Sequence, residues 1–256
     1  MTDTPVQPRA SLADYTPAEV EAIVAIRCKE LSEHLGWEIT PPAVKIVSPD
    51  ALSEAMEADQ KARSEKIRGA ARDVGLLASM AGWLLRLISP SMLGYFGTHH
   101  NTLYLNGEVV PQQAAYVLLH ELVHAAQWQR FPELFERLDA GRVAAEDLAD
   151  RHGDDAEATR IARDHYESLV TFIEGHATLH GRRVCEARLL RDAPTLSADE
   201  VRAYVNALTG LDPSDETMAQ IYLRGESTLA NLDPLQVDAI FREPDQIVRL
   251  FSRLSS

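Results

Sequence analysis

The hydrophobic and polar positions of this chain follow a helical period over most of its length. Thr16 to Glu19 ("TPAE") has the form of a capping box, so a helix should open there and run to about Leu35. "WEITPPAVKIVSP" then places β-branched residues around a Pro pair, the pattern of a short or interrupted strand. From Asp50 to about Ser89 the pattern is helical again, first charged and amphipathic, then apolar. Residues 95 to 111, "YFGTHHNTLYLNGEVVP", alternate Thr102, Tyr104 and Asn106 with Leu103 and Leu105 before an Asn-Gly turn signal, and predict one strand. The next run, Gln112 to about Arg130, is apolar on nearly every side and predicts a central buried helix, with Pro111 in its first turn and Pro132 beyond its end. Another helical pattern spans about Asp154 to Leu190, and a second capping box, Ser197 to Glu200, is followed by further helices joined by Asp-Pro turns. The expected fold class is therefore α+β, mainly α, with a small sheet in the N-terminal half and a helical C-terminal half.

Composition narrows the function classes. At 256 residues, with 45% hydrophobic and 25% charged residues, the chain can bury a substantial core as one domain. The expected organisation is a single domain over 1–256: a flexible 1–15, helices, sheet and central helix over 16–130, and a helical half over 131–256. A formal charge of -14 would repel phosphate backbones and anionic lipid, so nucleic acid is not an expected partner. Cys28 and Cys185 are far apart in helical patterns and suggest neither a disulfide framework nor a thiolate metal site. With no basic n-region and apolar core at the start, the expected compartment is the cytoplasm. The apolar segment 74 to 96 is broken by Arg86 and Pro90, too short for stable membrane insertion, and is expected to form a core helix, or an interfacial or partner-binding one.

The chemistry concentrates in "YVLLHELVHAAQWQR", residues 116 to 130, where His120, Glu121 and His124 interrupt the apolar helix. Imidazoles four residues apart project from one helix face, can share one zinc ion, and leave Glu121 placed to act as general base. Buried without a compensating cation, the three would carry a desolvation cost, and Arg130 is the first basic residue that follows. A third ligand is expected from "YESLVTFIEGHATLHGRRV", residues 166 to 184. Glu174 fits best, following an apolar run and preceding Gly175, with Glu167 on its face to orient an imidazole. His176 is the rival ligand. His165 and His180 read as solvated or capping residues, and His99 and His100 as strand-surface residues.

"NTLYLN", "LLHELVHAAQ" and, 50 residues after His124, "EGHATL" together resemble the gluzincin class of zinc metallopeptidases, and more narrowly small bacterial zincin-like proteins of unassigned substrate. The resemblance spans about residues 95 to 184, and more weakly 222 to 241. It implies a zincin-like fold, zinc held by His120, His124 and Glu174, and hydrolysis of peptide bonds with Glu121 as the base. It implies also a strand along the cleft, His99 to Leu105, that pairs at its edge with a peptide or protein substrate. Tyr222, in "YLRG", would stabilise the oxyanion, its other reading being a buried structural tyrosine. Gluzincins often carry an aspartate four residues after the glutamate ligand, where this chain has Thr178. Alternatives on the same residues are a catalytically silent zinc-binding regulatory protein, a metal-dependent hydrolase of non-peptide amides, and a helical protein without metal.

Overall fold

A computed structural model describes residues 9–69, 93–210 and 218–252. Helix α1, Pro17–Leu35, opens on the expected capping box: the Glu19 amide donates to the Thr16 hydroxyl and the Thr16 amide donates back to Glu19 at 2.8 Å. It ends at Gly36, whose φ of 67° closes the helix in the left-handed region that glycine adopts without cost. Helix α2, Pro49–Arg68, covers the charged part of the second helical pattern. Most of the apolar continuation, with its core-helix expectation, lies outside the described residues, and its end belongs to a strand.

Three strands form one mixed sheet in the order β1-β3-β2: β1 Ala43–Val47, β2 Gly94–Gly97 and β3 Thr102–Asn106. β1 runs parallel to β3, and β2 pairs antiparallel with it in the register Phe96 to Leu103. This corrects two expectations. The single strand of residues 95 to 111 is a hairpin of two, turning through exposed His99 and His100 and through Asn101 at φ 46°. His99 to Leu105 is not an edge either, because β3 is the central strand, bonded on both sides.

Helix α3, Pro111–Arg130, lies against the sheet with Leu119, Leu122, Val123 and Ala125 at 0% exposure. Each such leucine contributes about 1.5–3 kcal/mol relative to an exposed one, so apolar burial, not capping, holds this helix in place. Around it pack α4 Pro132–His152, which the sequence pattern left unassigned, the long α5 Glu157–Asp192, and α6 Ala198–Thr209 on its second capping box. The chain closes with α7 Met218–Ala230, α8 Pro234–Arg242 and α9 Pro244–Ser252.

α7 crosses α5 at unusually close range. A Cβ on Gly175 would lie 2.3 Å from the Gly225 backbone, and one on Gly225 would lie 2.1 Å from the Thr171 carbonyl oxygen. Only a glycine pair permits this crossing, and the crossing brings the Tyr222 ring to 5.8 Å from that of His120.

The first described residues are also more constrained than expected. Leu12 is buried, and the amides of Leu12 and Ala13 donate to the carbonyls of Val109 and Gly107 at 3.1 Å, so residues 9 to 15 are a tied segment and not a flexible arm. Among the described residues no helix is long and apolar enough to cross a membrane. Cys28 and Cys185 are both buried and free.

Candidate metal centre

His120 and His124 project from one face of α3, and Glu174 meets them from α5. The two Nε2 atoms lie 3.1 Å apart, and each is 3.2 Å from Glu174 Oε2. Protons cannot satisfy such a triangle. Three atoms can share two protons in pairwise hydrogen bonds, which leaves one contact between like lone pairs or like N–H groups. A cation at the centre satisfies all three, and tetrahedral ligands about 2.05 Å from zinc would stand about 3.3 Å apart. The donor set and spacing thus fit a metal ion, and among the described residues this is the one His/Cys/Asp/Glu group with such geometry.

Gln127, fully buried one turn beyond His124, fixes the second imidazole. Its Nε2 donates to the Ile173 carbonyl at 3.0 Å, so the amide orientation is set by a pure acceptor and Oε1 must face His124. His124 Nδ1 therefore donates to Oε1 at 2.9 Å, and in the neutral ring that a metal requires Nε2 is left with its lone pair toward the triad. The rival ligand His176 is committed elsewhere: its Nδ1 accepts from Gln127 Nε2 at 3.1 Å and its ring stacks on Trp37 at 5.5 Å. Glu167, expected to orient an imidazole, is exposed, because a long helix turns that position to solvent. His120 Nδ1 is buried with no partner among the described residues, so neither Glu167 nor Thr178 holds that ring as Gln127 holds His124.

Glu121 and Tyr222 line the same cavity, of about 200 Å³, as the triad. Burial raises the Glu121 carboxyl above its ordinary pKa against the pull of His124, His120 and a hydrogen bond from the Phe96 amide, which is the direction a proton acceptor needs near neutral pH. Tyr222 stands 5.8 Å from the His120 ring, and burial, then the charges of Glu174 and Glu121, raise its phenol well above the ordinary value, keeping it a donor. β2 forms the near wall. Because Asn106 donates to Leu93 at 3.0 Å, alternation along the pair turns the backbone groups of Gly94 and Phe96 away from β3 and toward the cavity side. Gly94 sits there for lack of space: its Cβ would come within 2.7 Å of Val117 and 3.1 Å of Glu121 Cγ.

Sequence reasoning missed a charged cluster that also borders this cavity. Arg63 of α2 reaches the cavity, held by Asp59 at 2.9 Å and Asp139 at 2.5 Å, with Tyr95 donating to Asp59 at 2.6 Å. Two carboxylates more than offset its charge. No motif announces this cluster, since its members come from α2, α4 and β2, whereas buried Gln127 was readable as a polar residue three places after His124 on an apolar helix.

Without metal, burial disfavours a charged His124, but Glu174, Glu121 and the Gln127 bond outweigh it and lift the imidazole to about 9. The same contacts hold Glu174 well below its ordinary 4.5 despite burial. A raised imidazole stabilises the fold fully below its ordinary 6.5 and loses that contribution as pH rises through about 9. A depressed carboxylate contributes fully above 4.5 and loses it as pH falls through its folded value. The stability difference between chelator-treated wild type and Glu174→Gln, read from urea midpoints, is therefore expected to be flat from about pH 4.5 to 6.5 and to shrink toward pH 9; a difference that grows over that range would contradict the His124–Glu174 pairing.

No protein-family model matches the chain, and no curated protein matches it. Among solved structures the chain is similar to a protein from Chloroflexus aurantiacus described as a presumed hydrolase with a novel fold, with a TM-score of 0.52 and 19% identity over 96% of this chain and 93% of that one. At that identity the likeness concerns the fold.

Proposed function

We propose that this chain is a zinc-dependent peptidase in which His120, His124 and Glu174 hold the ion and Glu121 is the general base. The observation that carries the reading is the convergence of the triad, a buried carboxylate one residue along the same helix and an open strand edge on one cavity. The hydrolase description of the structural neighbour agrees with it at the level of reaction class. When bound, zinc supplies Lewis acidity, polarising a carbonyl and acidifying water toward a pKa of about 7.

The chain's own residues supply the rest. Glu121 takes the proton of the attacking water and passes it to the leaving amine. The Tyr222 hydroxyl donates toward the carbonyl oxygen as it gains charge. An extended peptide aligns on the outward groups of Gly94 and on the Phe96 carbonyl, the Phe96 amide being held by Glu121, so the edge that pairs with substrate is β2 in place of the central strand first expected. Phe96, Phe135, Leu138 and Ile173 line the cavity and Arg63 is already neutralised, which favours an uncharged apolar side chain beside the cleaved bond. The two unpaired cysteines suit a reducing cytoplasm.

Glu121→Gln is expected to keep its metal and to lose about 10²–10⁴-fold in cleavage of a quenched peptide library, the range for removal of a general base. Turnover at the wild-type rate in purified Glu121→Gln would remove Glu121 from the mechanism. Wild type that binds zinc and cleaves nothing would instead support the silent zinc-binding protein on the same residues.

A further inference from the structure

We propose that a second cavity, behind the metal helix and bordered by α1, α5, α7 and α8, binds a small amphipathic anion: a carboxylate on an apolar body somewhat larger than one aromatic ring. This cavity has a volume of about 260 Å³ and shares no lining residue with the metal cavity. For scale, a cavity of about 150 Å³ holds benzene, so this one has room for a ring and a short tail. Its walls include Trp37, Leu179, Leu229 and Leu232, and Leu235 at the rim is 81% exposed, an apolar side chain left to water for which a bound apolar body would supply cover.

Charge defines the other end of the ligand. Arg183 lines the cavity, is exposed, and makes no ion pair among the described residues; Glu226, a carboxylate within its field, is taken by Arg182 at 2.6 Å. Arg130, also lining the cavity, shares the single carboxylate of Asp238 with Arg242, at 3.5 and 3.2 Å. Guanidinium groups thus outnumber carboxylates at this spot in a chain whose formal charge is -14. An anion is the partner such a local excess attracts. His34 and His180, 2.9 Å apart at the rim, bond to each other through one nitrogen each, and their other ring nitrogens have no partner among the described residues, leaving hydrogen-bonding capacity beside Arg183.

The test is isothermal titration of the full-length, metal-loaded protein with 4-phenylbutyrate and with its neutral counterpart 4-phenylbutanol. Saturable binding of one carboxylate per chain is expected, about tenfold tighter than the alcohol, the worth of one charge-assisted hydrogen bond. Arg183→Ala should erase that tenfold preference, and Leu235→Glu should weaken the carboxylate by a similar factor; both positions face solvent and both variants should keep their metal. Absence of saturable binding at millimolar concentration would overturn the proposal. So would carboxylate binding that neither substitution changes, since that would place the ligand elsewhere, on the metal included.

Discussion

Glu174→Ala is expected to leave the chain folded and to weaken zinc binding by more than about a hundredfold, because removal even of groups that only orient a ligand costs 10–100-fold. The side chain sits at the mouth of the cavity, 22% exposed, and its loss opens no apolar void. What goes is the third atom of the triangle and the negative charge that compensates the two imidazoles. Competition against a chromophoric chelator reads the change directly. Wild-type affinity in this variant would move the third ligand to another residue, and His176 would first have to give up its bond to Gln127.

Gly175→Ala, like Gly225→Ala across the same crossing, should be among the most damaging single methyl additions to the described residues. The added carbon would fall 2.3 Å from two backbone atoms of Gly225, where no side chain can swing aside, so α7 must move away from α5 along its length. Overpacking of this kind costs about 3 kcal/mol or more, or about 6–12 °C in Tm for a chain of this size. Tyr222 rides on α7, so the same shift withdraws its hydroxyl from the site and should lower turnover beyond any loss of folded protein. Gly141→Ala is the control. It lies inside α4 with its nearest foreign atom at 3.8 Å, and should be neutral or slightly stabilising through helix propensity. Equal melting shifts in the two variants would mean that the close crossing is not what constrains position 175.

The contrast between these two glycines explains how much of the molecule was legible in its sequence. Capping boxes at Thr16 and Ser197 and the i, i+4 imidazoles of α3 are local patterns, set within one or two turns, and they stand where the sequence places them. Glu174 was readable because an apolar run and a glycine flank it. Strand order was not, since pairing joins segments tens of residues apart, and four residues of β2 at the end of an apolar run are too few to show a period of two. A central β3 and an outer β2 follow from those non-local bonds, and the strand edge left open for pairing changes with them.

The same division holds within the site. Gln127 lay in view beside the histidines, yet its role depends on the Ile173 carbonyl, which only folding brings near. Asp59 and Arg63 stand one turn apart on α2, but Asp139 comes from α4, and that second pairing has no sequence signature. Glu167 failed as an orienting group for the opposite reason: sharing a helix face with Glu174 at seven residues' distance does not place it at the same depth.

Peptide cleavage before and after metal removal tests the central claim most directly. Protein purified without chelators, assayed with a quenched peptide library and analysed for metal in the same sample, should carry about one zinc per chain, lose cleavage on chelation and recover it when one equivalent of zinc is restored. Cleavage indifferent to the chelator, or a chain that takes up no zinc at the triad, would contradict it.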